Sequence, residues 1–430
     1  GLAVLFAPAI FHIFSLHPAN GVDVEVFRSV GTSLTRIFVV QIFFYGLSAL
    51  TSALLNARKL FFAAAWSPAL ANIVTIGFFC LLPLTKSGDN LSIDSVQNDQ
   101  AAIWVLGLGT TLGIVVMAMV QGAAVLRHGM KFTFAPQFTH PAVKKLVQLS
   151  LWTLGYVAAN QVALVVIKNL ASPGSGGVDA YSKAFVLLQL PHGLLAVSIA
   201  TTFVPDLARM FHRGDHQQFS QTMASGIRLT ALLTIPASCG LWVMSKPIIG
   251  LLFQHGNFSA AATENTARAL SGLAIGLAGF SVYLFVLRGF YARNDTRTPF
   301  FINVAENAIN IALAIVLVDK HGVFGLGLSF SIAYLVSALI ALLVLESTEV
   351  DIKLSELAFN IARIAIAAGA MTCVVWFTIR HVGSEAGLGA LSRVVVGTLI
   401  GAATYAVALN ALGEKTMRDY LSSKITKSSR

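Results

Sequence analysis

Charge is what this sequence has least of. Asp, Glu, Lys and Arg make up 11% of its 430 residues, against about a quarter in soluble domains. Hydrophobic residues make up 56%, and the mean hydropathy is +0.76. That much polar surface cannot cover a water-soluble globule of this size, so the bilayer is its solvent. Cysteine is scarce as well. Cys80, Cys239 and Cys373 stand singly in apolar stretches with no Cys-x-x-Cys pair, which argues against a disulfide framework or a cysteine metal site and leaves buried packing residues as the expectation. Acidic residues number 19 against 29 basic ones, for a net charge of +10. The cations do not form one nucleic-acid-binding run; they are spread over short loops and gathered at the tail, as the positive-inside rule predicts.

What is present is a series of apolar windows of about 20 residues, the length needed to cross a hydrocarbon core about 30 Å thick. About twelve spans are predicted: 1–16, 34–56, 64–85, 101–126, 145–170, 180–208, 226–253, 264–290, 299–318, 323–345, 357–380 and 388–412. The expected fold is an all-α polytopic membrane protein. If the first span leaves the cytoplasm, the cytoplasmic loops hold Arg58 and Lys59; Arg127, Lys131, Lys144 and Lys145; Arg209 and Arg213; and Arg288, Arg293 and Arg297. The tail, with Lys415, Arg418, Lys424, Lys427 and Arg430, falls on the same side, where it can lean on anionic lipid head groups. The stretch 87–100, with Asp89, Asp94 and Asp99, falls outside.

The chain also resembles itself. Gly1–Phe14 aligns with Gly240–Phe253 at six positions, and Ala57–Arg58 with Pro68-x-x-x-Asn72 matches Ala292–Arg293 with Pro299-x-x-x-Asn303. Parallel repeats of this kind build transporters whose substrate cavity lies between two halves. The second copy has residues 143–239 before its match begins and the first has no counterpart, so the first lobe is expected to lack its opening helices.

Four stretches then carry a family resemblance: ALLNARKLFFAAAWSPALAN at 53–72, LQLPHGLLAVSIATTFVPD at 188–206, LFQHGNF at 252–258 and GFYARNDTRTP at 289–299. In order and spacing they resemble the MurJ/MviN family, the lipid II flippases of the multidrug/oligosaccharidyl-lipid/polysaccharide exporter superfamily. The resemblance implies fourteen helices in two pseudo-symmetric six-helix lobes plus two C-terminal helices. On that plan residues 1–126 are an N-lobe remnant (family helices 3–6), 143–345 a C-lobe (family helices 7–12), 357–412 the two additional helices and 413–430 a basic cytoplasmic tail. It further implies a multi-pass protein of the bacterial plasma membrane, C-terminus cytoplasmic. Such a protein moves lipid II, an undecaprenyl-pyrophosphate-linked disaccharide-pentapeptide, to the outer leaflet by alternating access for cell-wall synthesis. Membrane lipids and the cell-wall synthesis machinery are the implied partners, with no nucleic acid. Another transporter of the superfamily, exporting a polysaccharide-lipid or exchanging drugs for cations, is the alternative. An enzyme acting on the same lipid would need large outer loops with acidic clusters, and these loops are short.

The family's main arginines lie on helices this chain does not contain, and another falls at Val186, five residues before Pro191. The nearest cation is Lys183. It can meet pyrophosphate in a cavity or snorkel to the interface; Asp179, four residues earlier, can pair with it, although an outer-loop aspartate is the plainer reading. Arg288, Arg293 and Arg297 can receive the pyrophosphate or simply follow topology. Asn303, Asn307 and Asn310 share a helical face with Glu306 beside them. They suit a monovalent-cation or proton site coupled to an ion gradient or the membrane potential; interhelical hydrogen bonding is the plainer use. Asn160, Gln161 and Lys168 form a weaker set. No resident cofactor or metal is expected: His212 and His216 flank a solvated loop. Gly325-x-Gly327 follows no strand and is expected to pack helices rather than bind phosphate.

Overall fold

A computed structural model describes residues 2–87, 91–129, 141–348 and 351–413, with backbone alone for residues 2 and 141–149. Asp89, Lys131 and the tail cations from Lys415 to Arg430 lie outside the described residues, as do the side chains of Lys144 and Lys145. Every regular element among the described residues is helical. The chain divides into two compact units, Gly1–Thr139 and His140–Arg430.

The first unit holds α1 (Leu2–Leu5), α2 (Ala7–Ile13), α3 (Val24–Phe38), α4 (Gln41–Ala57), α5 (Phe61–Phe79), α6 (Ile93–Gln97) and α7 (Gln100–Arg127). The second holds α8 (Pro141–Leu170), α9 (Gly177–Pro191), α10 (Ser198–His212), α11 (His216–Val243), α12 (Ser245–Phe253), α13 (Ala260–Ala274), α14 (Leu277–Ala292), α15 (Arg297–His321), α16 (Val323–Glu346), α17 (Leu354–His381) and α18 (Gly387–Ala411). Ten helical stretches are long and apolar enough to cross a membrane, or eleven if α13 and α14, bent by 47°, count as one. The chain is therefore a multi-pass membrane protein. Large apolar side chains along these spans are exposed, among them Leu194 at 74% and Val316 at 65%, which water would not tolerate in a contiguous band and lipid does.

Residues 1–16 do not form the predicted first span. Pro8 cannot donate to Val4, the helix is broken at Phe6, and α2 ends at Ile13 with Pro18 and Gly21 following. The cysteines also differ from expectation: Cys80 and Cys373 are exposed and Cys239 half-buried, because an apolar stretch in lipid supplies outward as well as inward faces.

The turns after α4 and α14, which the internal match pairs, share their local geometry. Arg58 and Arg293 close α4 and α14 with the same dihedrals, φ −92° and ψ 6°, and the next residues, Lys59 (φ 61°) and Asn294 (φ 58°), are both left-handed. The bonds agree as well: Leu60 N–H reaches the Leu55 carbonyl at 2.9 Å, as Asp295 N–H reaches that of Phe290 at 3.0 Å. Glycines let α13 and α16 approach as far as backbone contact. A Cβ on Gly327 would lie 2.7 Å from the Leu273 nitrogen, and one on Gly272 would lie 2.6 Å from the Phe324 oxygen. Gly325 and Gly327 thus serve helix packing, as the pattern predicts.

Polar anchors hold each unit. In the first, buried Gln121 accepts from Ser48 and Thr51, both at 2.9 Å, and donates to Ser67 at 2.6 Å, tying α4, α5 and α7. In the second, Tyr405 of α18 donates to the Leu232 carbonyl of α11 at 2.7 Å. Lys246 of α12 pairs with Glu264 and Glu385 at 3.0 and 2.6 Å. Its hydrogen bonds to Glu385 and Glu264 raise its pKa above the ordinary lysine value.

Candidate functional site

The densest polar cluster of the second unit stands on α15. That helix starts where Asp295 accepts from the Arg297 and Thr298 nitrogens at 3.0 Å, and its buried face carries Asn303, Glu306, Asn307 and Asn310 at three- and four-residue spacing. Asn303 is fully buried and Glu306 is 1% exposed. Across from them, α8 contributes Asn160, whose amide donates to Asn303 Oδ1 at 3.3 Å and whose oxygen accepts from Asn307 at 3.4 Å. Asn307 also donates to the Asn303 carbonyl at 2.9 Å, and Ser329 of α16 donates to Asn310 Oδ1 at 3.0 Å.

Both carboxylate oxygens of Glu306 are buried with no partner at hydrogen-bond distance, and the Tyr334 hydroxyl is the donor that acts on them from the cavity wall. A cavity of about 220 Å³ opens beside it, lined by Asn160, Gln161, Asn307 and Asn310, with Tyr181 and Tyr334 among its aromatic walls. A bare buried carboxylate would cost several kcal/mol or more, a cost that a bound proton or cation would remove. Carboxylate and amide oxygens around a small cavity are the donor set hard monovalent cations take. The interhelical hydrogen bonds expected on the plainer reading are present too: the asparagines make them and the glutamate does not.

The other site residues do not come together. Lys183, on α9, pairs with Asp179 in the first turn of that helix and lies 5.4 Å from the ring centroid of Phe258. Asp179 is thus a helix residue with a partner and not a loop residue. Phe258 precedes α13, whereas Arg288 and Arg293 lie at the far end of α14, so Lys183 and the arginines sit at opposite ends of the unit. Arg288 is exposed; Arg293 donates to Thr348 at 2.5 Å and packs over Phe211; Arg297 lies over Trp152 and Phe301. Gln161 lines the cavity, while Lys168 is half-buried about two turns further along α8. No cluster able to hold a metal through His, Cys, Asp or Glu exists among the described residues.

Two features escaped the sequence reading. Six aromatic side chains, Tyr181, Phe185, Phe280, Tyr283, Phe330 and Tyr334, interlock, and Tyr181, Phe185, Phe330 and Tyr334 among them line the cavity; aromatics are too common in membrane spans to stand out. After Pro191 the chain makes a π-helical turn, His192–Val197, in which His192 Nδ1 lies 3.0 Å from Ser281 Oγ. Pro191 was the available signal, since a proline inside a span frees a carbonyl and invites such a turn.

Comparison with known proteins fits this architecture. A solved structure titled "Lipid II flippase MurJ, inward closed conformation" superposes with a TM-score of 0.74 at 24% identity, covering 98% of this chain and 80% of that one. A multidrug resistance MATE family transporter of the MOP superfamily gives a TM-score of 0.65 at 14% identity, covering 82% and 78%. At these identities the likeness is one of fold. Among curated relatives, the probable lipid II flippase MurJ of Rhizobium meliloti is 29% identical over 84% of this chain and 66% of its own length. The lipid II flippase MurJ of Burkholderia cenocepacia is 27% identical over 80% and 65%. The chain thus spans about two-thirds of the length of these relatives. The family profile described as "Lipid II flippase MurJ" matches residues 2–397, and the chain belongs to the MurJ family.

Proposed function

We propose that this protein flips lipid II, the undecaprenyl-pyrophosphate-linked peptidoglycan precursor, from the inner to the outer leaflet of the bacterial plasma membrane by alternating access. The observation that carries this reading is the family match across residues 2–397. The protein does no covalent chemistry: its task is to lower the cost of moving an anionic head group through hydrocarbon. Its C-terminus lies in the cytoplasm, by the distribution of loop cations. The partnerless Glu306 carboxylate, with the amide oxygens of Asn303, Asn307 and Asn310, is the coupling site, binding a monovalent cation or a proton. Arg288 and Arg297, both exposed, meet the pyrophosphate at one end of the unit and Lys183 meets it at the other as the head group passes; Arg293, held by Thr348, positions the α14–α15 turn.

Complementation tests the reading. The complete gene encoding this chain should restore growth to cells depleted of their own flippase, and Lys183→Ala should impair rescue more than Lys246→Ala. Folded, membrane-inserted protein that gives no rescue would sink it.

A further inference from the structure

A second cavity, of about 740 Å³, lies in the first unit where α4 gives way to α5 beside the end of α7. Its wall carries Lys59, Arg127 and His128 together with Phe61, Phe62 and Trp66, and its floor is Ser67, Leu70 and Val120. Of the six described Lys and Arg residues of the unit, Arg58, Lys59 and Arg127 lie at this end, whereas Arg28 and Arg36 are on α3 and Lys86 lies between α5 and α6. The unit's described acidic residues, Asp23, Glu25, Asp94 and Asp99, lie before or in the first turn of α3, in α6 or just before α7, and the 28 residues of α7 put about 40 Å between its two ends. Neither Lys59 nor Arg127 has a carboxylate within ion-pairing distance among the described residues.

Helix ends explain part of this. Cations beside the last carbonyls of α4 and α7 answer the helix dipole, and a ring nitrogen of His128 lies 2.8 Å from the Ala124 oxygen. That account covers His128 and leaves two facts over. Lys59 adopts φ 61°, a left-handed state that costs about 1 kcal/mol or more for a residue with a Cβ and that asparagine tolerates better; the matching turn of the second unit carries Asn294 at φ 58°. In addition, the first turn of α5 has no side-chain cap, and its residues Leu60, Phe61, Phe62 and Ala63 line the cavity. The rim is aromatic: Phe62 is 77% and Trp66 58% exposed, as at a membrane interface.

We propose that this crevice binds the phosphate head group of an anionic phospholipid in the leaflet at that end. By the loop cations this is the cytoplasmic leaflet. Lys59 and Arg127 take the phosphodiester, Trp66 and Phe61 sit at head-group level, and the acyl chains run along Phe62, Leu70 and Val120. Basic pockets between membrane helices on that side recognise such head groups, and a guanidinium suits a phosphate because it offers paired donors. The site is independent of the flippase reading, since it needs no transport and no lipid-linked sugar.

Native mass spectrometry of the purified full chain, titrated separately with dioleoyl phosphatidylglycerol and dioleoyl phosphatidylcholine, tests it. Wild type should retain phosphatidylglycerol preferentially. Lys59→Asn, which preserves the left-handed turn, and Arg127→Gln should each weaken retention about fivefold, and the pair about thirtyfold. Lys86→Gln, an exposed lysine near the other end of the unit, should change it less than about twofold, which is the reference for a non-specific charge effect. Equal retention by wild type and the double variant would overturn the site, and so would an equal loss in Lys86→Gln. Full displacement by millimolar inorganic phosphate would show a soluble-anion site instead. If the double variant does not fold, brominated lipids give the answer in wild type: the fluorescence lost on Trp66→Phe should be quenched more by brominated phosphatidylglycerol than by brominated phosphatidylcholine, and equal quenching would refute the assignment.

Discussion

Glu306→Gln separates a cation site from a merely structural carboxylate. The substitution keeps volume and removes the charge of a side chain that is 1% exposed and whose oxygens are both without hydrogen-bond partners. On the proposed reading, a cation bound at this site offsets that charge and stabilises the folded state by RT ln(1 + [L]/Kd), about 1.4 kcal/mol at ten times Kd. On the scaling of soluble domains this raises Tm by roughly 2–5 °C. Without cation, the buried charge costs several kcal/mol that a neutral amide does not. Thermal unfolding in detergent, with sodium, potassium, lithium or choline chloride at one ionic strength, reads both effects. Wild type should gain stability in one of the alkali chlorides over choline. Glu306→Gln should be insensitive to the cation and, in choline, at least as stable as wild type. A wild-type Tm identical in all four salts, or a cation response that survives in Glu306→Gln, would refute the cation site.

Three further outcomes follow from packing and hydrogen bonding. Gly327→Ala places a methyl 2.7 Å from the Leu273 nitrogen and 2.8 Å from the Ala269 oxygen; neither backbone can yield, so the α13–α16 crossing should lose about 2 kcal/mol or more, read as a lower Tm. Gln121→Leu deprives Ser48, Thr51 and Ser67 of a shared partner and should cost about 1–3 kcal/mol, whereas Gln41→Leu, at a half-buried position, should cost less in the same melt. At Asp99 burial raises the carboxyl pKa, but hydrogen bonds from Ser87, Ala102 and Ala101 outweigh it and leave the pKa below the ordinary value of 3.8. Because the folded pKa is the lower one, the stabilisation is present above pH about 4 and is lost as the pH falls through the folded value; acid unfolding curves of Asp99→Asn should lack that loss and start from a lower Tm at neutral pH.

Which features the sequence exposes follows from how lipid reads side chains. Spans are legible because each must be apolar over its whole length, so ten or eleven of the expected twelve appear as helices. The first fails because Pro8 interrupts the backbone bonding inside an otherwise suitable apolar run. Orientation is not legible, because lipid-facing and core-facing positions are equally apolar; hence Cys80 and Cys373 point outward while the same hydropathy predicts packing. Polar groups inside spans are the exception. Asn303, Glu306, Asn307 and Asn310 stand out because each is costly in hydrocarbon, and the structure brings Glu306, Asn307 and Asn310 to one cavity with Asn303 buried behind them. Asn160 joins them from a helix distant in sequence, a pairing that no spacing rule can find. The crevice at Lys59 and Arg127 is harder still to see, since loop cations follow from topology alone and only the fold brings Lys59 and Arg127 to one wall beside Trp66. Lys59 shares its left-handed backbone with Lys353 (φ 50°), and what sets it apart is its place on the crevice wall with Arg127. The same turn in the second unit is closed by Asn294 with matching hydrogen bonds, so the turn does not need a lysine, and Lys59→Asn removes the side-chain charge while keeping the backbone.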